Sequence, residues 1–497
     1  MIARCNLIAS KLTNQLGRHS AWGIWVTLFG AFSPMQWLAL AGHELLLFAG
    51  FFFLIGTLDD LMVDLHYVWL RLIGKVRTQE VEREALTGQP LRGIAAVLIP
   101  TWQEAEVIGS TVSHALAAWP QEDLRIYVGC YRNDPATARA VMKGARGDPR
   151  ARLVIHDRDG PTSKADCLNR LYAALCEDEA RTGERMRMVM LHDAEDMVDA
   201  AALPLIDQAI GQYDFVQIPV LPEPQAQSRW IAGHYCDEFA EAHGKSMVVR
   251  CALGAGLPAA GVGCAFARSV LDRLALEHGL KAGVASPFAS ESLTEDYELG
   301  LKITVIGGKS TFLRVRGTDG KLVATRACFP TDIVAAVRQK TRWVHGIAFQ
   351  GWERMGWSGR WSEQWMRLRD RRGPLAALVL AAAYAFFVIA TLLWLLTLTD
   401  LIEMPAPSPL VRSILLLNIC GFVFRVFWRC AFTLREYGWI EGLFAIPRMP
   451  VSNVVAIMAG RRALAAYLRS LKGEIPRWEK TDHRPHPTIS TLQELTA

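Results

Sequence analysis

Residues 188–196 read MVMLHDAED: four apolar residues that end abruptly in His192, Asp193, Ala194, Glu195 and Asp196. An apolar run this short, with no polar alternation, predicts a strand buried on both faces, as in a parallel sheet covered by helices. Upstream, IAAVLI at 94–99 is a second such strand, closed by Pro100, and 105–119 follows with helical spacing. LRIYV at 124–128, then 153–155 and 215–218, repeat the strand signal, with helical stretches at 137–145, 165–177 and 201–213. The alternation predicts an α/β domain with a mostly parallel sheet. Ligands of such sheets bind beyond the carboxyl ends of the strands, so the acidic end of 188–196 is the first candidate site.

Outside residues 75–372 the sequence changes character. PLAALVLAAAYAFFVIATLLWLLTL at 374–398 carries no charge, and as a helix it spans a hydrocarbon core of about 30 Å. Arg367, Arg369, Arg371 and Arg372 precede it, while Asp400 and Glu403 follow, so the preceding region is expected to be cytoplasmic. Residues 410–434 predict a returning helix whose Arg412, Arg425 and Arg429 either snorkel or face a polar cavity. Residues 37–58 read as a span interrupted by His43 and Glu44. The run 21–32, after Arg4, Lys11 and Arg18, is like a signal-peptide core but lacks a cleavage site; it either crosses as half of a hairpin or lies in the interface. Residues 439–468, broken by Glu441, Pro447, Arg448, Pro450, Arg461 and Arg462, are expected to form interfacial helices rather than a span. The expected organisation is a membrane region at 1–74, a cytoplasmic domain at 75–372, membrane and interfacial helices at 373–471, and a loosely structured polar tail at 472–497.

Composition narrows the function. Of 497 residues, 51% are hydrophobic and 21% charged, which excludes disorder and a small disulfide scaffold. Fifty-four basic against 49 acidic residues give +5, too dilute for a nucleic-acid partner. The ten cysteines form no C-x-x-C pair, which favours free thiols in a reducing compartment.

Three segments carry chemistry. The carboxylates of HDAED repel one another at a strand end, and a hard divalent cation bridging to a diphosphate would stabilise them; helix capping by Asp196 or Asp199 is the alternative. LTEDYE at 293–298 places Glu295 and Asp296 in a loop before a helix. A carboxylate there suits a general base toward a sugar hydroxyl, or else supports a helix capped by Thr294. In QKTRW at 339–343, Gln339, Arg342 and Trp343 share one helical face. That face offers an amide, a fork for phosphate oxygens and an indole platform for a sugar ring.

In order and spacing these segments resemble the D-x-D, T-E-D and Q-x-x-R-W motifs of the membrane-embedded family 2 glycosyltransferases, which include cellulose and hyaluronan synthases. PTWQE at 100–104, with Thr101 and Glu104, is similar to their nucleotide-binding start. KADCLN at 164–169 resembles their donor-site stretch through Lys164, and GVGCAF at 261–266 their acceptor-terminus loop through Cys264. The resemblance covers about 94–352. Within the family it is nearest to the inner-membrane bacteriophage adsorption group, which similarly has a TYxND-like segment, HDAED, and a final W-x-K-T-x-H element, here Trp478, Lys480, Thr481 and His483. Two departures stand out. The metal motif is D-x-E, and Cys130 and Tyr131 stand where many relatives have paired aspartates, leaving Asn133 and Asp134 to contact the nucleotide base. No cyclic di-GMP-binding domain is evident after the membrane region, so control through one is not expected.

The resemblance implies a GT-A type α/β domain inserted between transmembrane helices, on the cytoplasmic face of a bacterial inner membrane. It implies inverting transfer from a nucleotide-diphosphate sugar, UDP-linked, to a growing polysaccharide, with an outer-membrane export partner. In this reading Asp193 holds the ribose or the metal, Glu195 the Mg²⁺ or Mn²⁺, and Asp296, beside Glu295, takes the acceptor proton. Gln339 and Arg342 bind the diphosphate and Trp343 positions the acceptor. The alternatives are an envelope export or receptor component with a vestigial transferase domain, and a single-addition transferase to a lipid carrier.

Overall fold

A computed structural model describes residues 34–282, 285–399 and 407–473. The run at 21–32, the basic residues before it, Asp400, Glu403 and the W-x-K-T-x-H element lie outside the described residues. Seven strands form the central sheet: β1 Ile94–Pro100, β2 Leu124–Tyr131, β3 Ala151–His156, β4 Met186–Leu191, β5 Phe215–Gln217, β6 Cys264–Ala267 and β7 Ser310–Phe312. Their order is β3-β2-β1-β4-β6-β5-β7. Only β6 runs against its neighbours; the remaining pairs are parallel. The unbroken apolar run of β1 is explained by its place, since Ala95 through Ile99 are each at most 1% exposed. The sheet is therefore the mostly parallel α/β sheet expected, with one reversed strand that the four residues CAFA were too short to announce.

The helices used below are α1 Pro34–Leu72, α2 Ile108–Ala118, α3 Pro135–Ala145, α4 Lys164–Thr182, α5 Ile231–Glu241, α6 Glu295–Val305, α7 Ile333–Val344, α8 Trp361–Arg371, α9 Gly373–Thr397, α10 Pro409–Tyr437 and α11 Trp439–Ser470. Helix α4 lies close on β2 because Gly129 has no side chain; a Cβ there would stand 2.6 Å from Cys167 Sγ. The described cysteines are free thiols.

Four helices, α1, α9, α10 and α11, are long and apolar enough to cross a membrane by length and composition. The last departs from expectation, because residues 439–470 form one continuous helix with Pro447 and Pro450 inside it. An interior proline costs about 3 kcal/mol. Burial offsets that cost here: α11 packs along α5 and α7, burying Ala445, Arg448, Val455, Ala459 and Ala463.

The chain divides into two compact units, and the divisions fall inside helices. In the smaller, residues up to Gly56 with Val379–Ile419, small residues allow close helix contact. Ala49 packs with Val379, Ala382 and Ala383, and the Asn418 amide donates to Gly50 O at 2.9 Å. The larger unit holds the sheet and a collar of ion pairs. Arg372 lies 2.5 Å from Asp59 and 2.8 Å from Asp60, and Arg369 pairs with the same two aspartates. Arg425 joins Asp60, and Arg429 reaches Glu241 at 2.6 Å. Arg425 and Arg429 thus face a polar cavity of about 230 Å³, whereas Arg412 is exposed.

An ion pair buried on both sides seats α11. Arg448, 1% exposed, reaches Asp237 of α5 at 3.2 Å and Glu441 at 2.9 Å. Gly233 makes room for it, since a Cβ there would fall 2.1 Å from the guanidinium. Replacing Arg448 with Leu leaves Asp237 buried without its cation and is expected to cost about 3–5 kcal/mol. Adding Asp237→Leu should recover most of that loss, as thermal unfolding of the purified protein in detergent would reveal.

Candidate active site

Parallel strands deliver their following loops to one edge of the sheet, and the loops after β1, β2 and β4 meet there. After β1 the chain turns through Gln103 at φ 54°. That turn is pinned by Asp134, whose Oδ2 accepts from Gln103 N–H at 2.6 Å while its Oδ1 caps α3 at Thr137 N–H, 3.3 Å. Asn133 is equally engaged, exchanging two 2.8 Å hydrogen bonds with the Gly160 backbone. Both residues expected to read the base therefore brace loops. The wall they support is aromatic. Trp102 and Tyr131, edge-to-face at 5.3 Å, line a cavity of about 90 Å³ together with Thr101 and Glu104. Gly160 packs against both rings; a Cβ would come within 2.4 Å of Trp102. Neither aromatic was singled out as a binding residue from the sequence, although each stands at a strand end.

After β4, the HDAED turn closes on its own last residue. Asp196 Oδ2 accepts from Asp193 N–H at 3.0 Å and lies 2.7 Å from His192 Nδ1. Burial pushes the Asp196 carboxyl above the usual range, against the pull of His192. Neither Asp196 nor Asp199 caps the helix Ala202–Ala209, whose N-cap is Ala201 with no side-chain capping bond; Asp199 accepts from Ala201 N–H at 3.0 Å in the turn before it. Asp193 faces Lys164, the first residue of α4, with Nζ 2.5 Å from Oδ1. Burial pulls the Lys164 pKa down, but the carboxylates of Asp193, Glu295 and Asp296 outweigh it and keep the ammonium charged.

A larger cavity of about 490 Å³ adjoins on the other side, lined by Asp296, Tyr297, Phe239, Phe329 and Trp343 among others. Lys164, Asp193, Glu195, Gln339 and Arg342 line both cavities. The T-E-D segment is the start of α6 rather than a loop, and the Thr294 side chain makes no capping bond. Asp296 projects into the larger cavity, held by Tyr297 N–H at 2.7 Å. Gly261, at φ +76°, lies against its other oxygen; a Cβ there would sit 2.2 Å from Oδ2. Glu295 is 6% exposed. Burial and then the charge of Asp296 push it up to about 7. Cys264 is wholly buried in β6 behind this pair, and burial raises its thiol pKa. Helix α7, capped by Asp332 at Ala335 N–H, presents Gln339, Arg342 and Trp343 to the cleft. Among the described residues, no group of three or more His, Cys, Asp or Glu side chains is arranged to hold a metal ion. The cleft instead offers two carboxylates, Asp193 and Glu195, on its shared wall.

Residues 92–346 match the family described as Glycosyltransferase like family 2. The chain is 32% identical over 457 residues to bacteriophage adsorption protein B of Escherichia coli (strain K12), covering 86% of this chain and 60% of that protein. The same figures hold for bacteriophage N4 adsorption protein B of Escherichia coli O157:H7. The chain thus spans about 60% of the length of the curated relatives it matches. Among solved structures, the mannosyltransferase PcManGT from Pyrobaculum calidifontis, in complex with GDP-Man and Mn²⁺, aligns with a TM-score of 0.49 at 16% identity, over 86% of this chain and 99% of its own. S. aureus TarS aligns with a TM-score of 0.30 at 14% identity, over 59% and 52% respectively.

The electrostatics give a test that needs no substrate. A carboxyl raised to about 7 from 4.5 stabilises the fold below its unfolded pKa, and that contribution is lost as pH rises through 7. Glu295→Gln should therefore raise the thermal midpoint relative to wild type at pH 8 and change it little at pH 5. A midpoint difference independent of pH would remove the buried, neutral carboxyl from this position.

Proposed function

The chain belongs to the family 2-like glycosyltransferases, and from that premise we propose an inverting, metal-dependent enzyme that moves a sugar from a UDP-linked donor onto a growing polysaccharide. The observation that carries this reading is the set of five residues common to both cavities, Lys164, Asp193, Glu195, Gln339 and Arg342. A diphosphate across that shared wall directs its nucleoside toward Trp102 and Tyr131 and its sugar toward Asp296 and Trp343. Lys164 and Arg342 then meet the charge that grows on the leaving diphosphate. The acceptor hydroxyl attacks the anomeric carbon from the face opposite the diphosphate, the C–O bond to phosphate breaks with its electron pair leaving on oxygen, and Asp296 takes the hydroxyl proton. Trp343 and its aromatic neighbours Phe239 and Phe329 suit the faces of saccharide rings, which favours a sugar chain over a bare lipid phosphate as acceptor.

The residues fit a divalent cation. Mg²⁺ is commonly held by one or two carboxylates plus substrate phosphate oxygens rather than by a full protein cage. Asp193 and Glu195 supply that donor set, and Mg²⁺ or Mn²⁺, when bound, supplies Lewis-acid stabilisation of the departing diphosphate. Residues 75–372 serve as the cytoplasmic catalytic part, with membrane parts at 1–74 and 373–471 and a polar tail at 472–497, in the inner membrane of a bacterium. An outer-membrane partner that carries the product outward belongs to the same reading.

Purified membranes given a panel of UDP- and GDP-sugars should release nucleotide with one of them, and chelation should stop it. Asp296→Asn should lower transfer by about 10²–10⁴ with donor affinity by calorimetry little changed. Turnover lost only in Glu295→Gln would move the base one residue back, and turnover persisting in EDTA would sink the metal. Tags after Lys75 and near Arg367 should resist a membrane-impermeant label in intact cells, because the donor sugar is cytoplasmic; labelling of either overturns the orientation.

A further inference from the structure

Asp296 hangs from one neighbour. Tyr297 holds it through the backbone N–H at 2.7 Å, and Tyr297 is itself held at the far end of its ring, where its hydroxyl donates to Asp370 Oδ2 at 2.9 Å. Asp370 is anchored in turn by Arg250, whose Nη1 reaches both carboxylate oxygens at 2.8 and 2.9 Å. Arg250 is 4% exposed and its Nε donates to Gly256 O at 2.6 Å. Tyr297 and Asp370 line the same cavity as Asp296.

The sequence position of Asp370 gives this chain its interest. It sits in the last turn of α8, immediately before α9, the most apolar of the four long helices. The residues that flank it, Arg369 and Arg372, pair with Asp59 and Asp60 of α1. Arg371 fixes the same turn through Gly351 O and Gly356 O at 2.7 and 2.8 Å. One turn of helix is therefore tied on one side to the collar and on the other to the residue that holds the acceptor base.

We propose that Asp370 is a positioning residue for the acceptor base: it fixes the Tyr297 hydroxyl, Tyr297 fixes Asp296, and the aim of the base depends on the helical turn that enters α9. The inference rests on the transfer reading above and deepens it. In this proposal Asp370 acts through the Tyr297 hydroxyl and not on the donor. Its removal acts through the angle of Asp296, so the loss falls on the chemical step and leaves donor binding alone.

The test is a double-mutant cycle in full-length protein in membranes. Tyr297→Phe keeps the ring and its packing and removes only the hydroxyl; Asp370→Asn keeps the shape and weakens the hold on that hydroxyl. Each should lower kcat for transfer about 10- to 100-fold with the donor KM within about twofold, and the double variant should be no slower than the slower single. Asp370→Glu should recover part of the rate. Independently of turnover, hydrogen exchange in a peptide covering 293–305 should quicken in both single variants. Multiplicative losses, a wild-type kcat in Tyr297→Phe, or a loss confined to donor KM would overturn the proposal. Unchanged exchange would overturn it too, even where transfer itself stands. A wild-type protein that turns over no nucleotide sugar defeats the transfer reading instead, and the exchange measurement still decides the anchor.

Discussion

Five carboxylates, Asp193, Glu195, Asp196, Glu295 and Asp296, converge on one end of the sheet, and like charges that close cannot all remain ionised in a buried site. The ammonium of Lys164 makes the arrangement tenable. It stands 2.5 Å from Asp193 and its charge is felt by both Glu295 and Asp296. Burial raises the carboxyls of Asp196, Glu295 and Asp296 alike, and Asp196 is in addition tied to His192, while Asp193, Glu195 and Asp296 stand on the cavity walls. A strand end, a helix start and a second helix start must meet to place these groups. The parallel sheet is what brings all three to a single edge.

Much of this was legible in the sequence, for reasons that can be named. A strand buried on both faces is a continuous apolar run, so β1 and β4 were readable, and with them the edge where the loops gather. QKTRW was readable because helical spacing alone puts Gln339, Arg342 and Trp343 on one face. What escaped depended on contacts distant in the chain. The bonds of Asn133 to Gly160 and of Asp134 to Gln103 are not local in the chain, nor is the aromatic wall that Trp102 and Tyr131 form beside them. Tyr297 was read only as a member of LTEDYE, since its partner Asp370 lies 73 residues away. The continuous α11 was missed because two prolines are a local signal, whereas the buried face that overrides them is tertiary.

The arginines within the third long helix had two readings, snorkelling or a polar cavity, and Arg425 and Arg429 take the second. Arg369 and Arg372 are part of the basic flank that argues for a cytoplasmic face, and they are also consumed in ion pairs with Asp59 and Asp60. Pairing removes them from the inventory of free positive charge while it keeps them in place. Counting basic residues therefore overstates how much of that flank is left to meet anionic lipid headgroups.

The seat of α11 bears on the order in which the molecule comes into being. Trp343 leans on a small cluster formed by Tyr235, Ala336, Val337 and Val455, and Val455 belongs to the last of the described helices. A nascent chain emerging from the ribosome acquires the sheet, the HDAED turn and the T-E-D helix early, while Trp343 still lacks its backing. Only after the codons for α11 have been read can Arg448 reach Asp237 and the back of the cleft close. Synthesis thus leaves an interval in which the residues lining both cavities already exist in the chain while the helix behind Trp343 does not, and a stalled or shortened chain would stay within it.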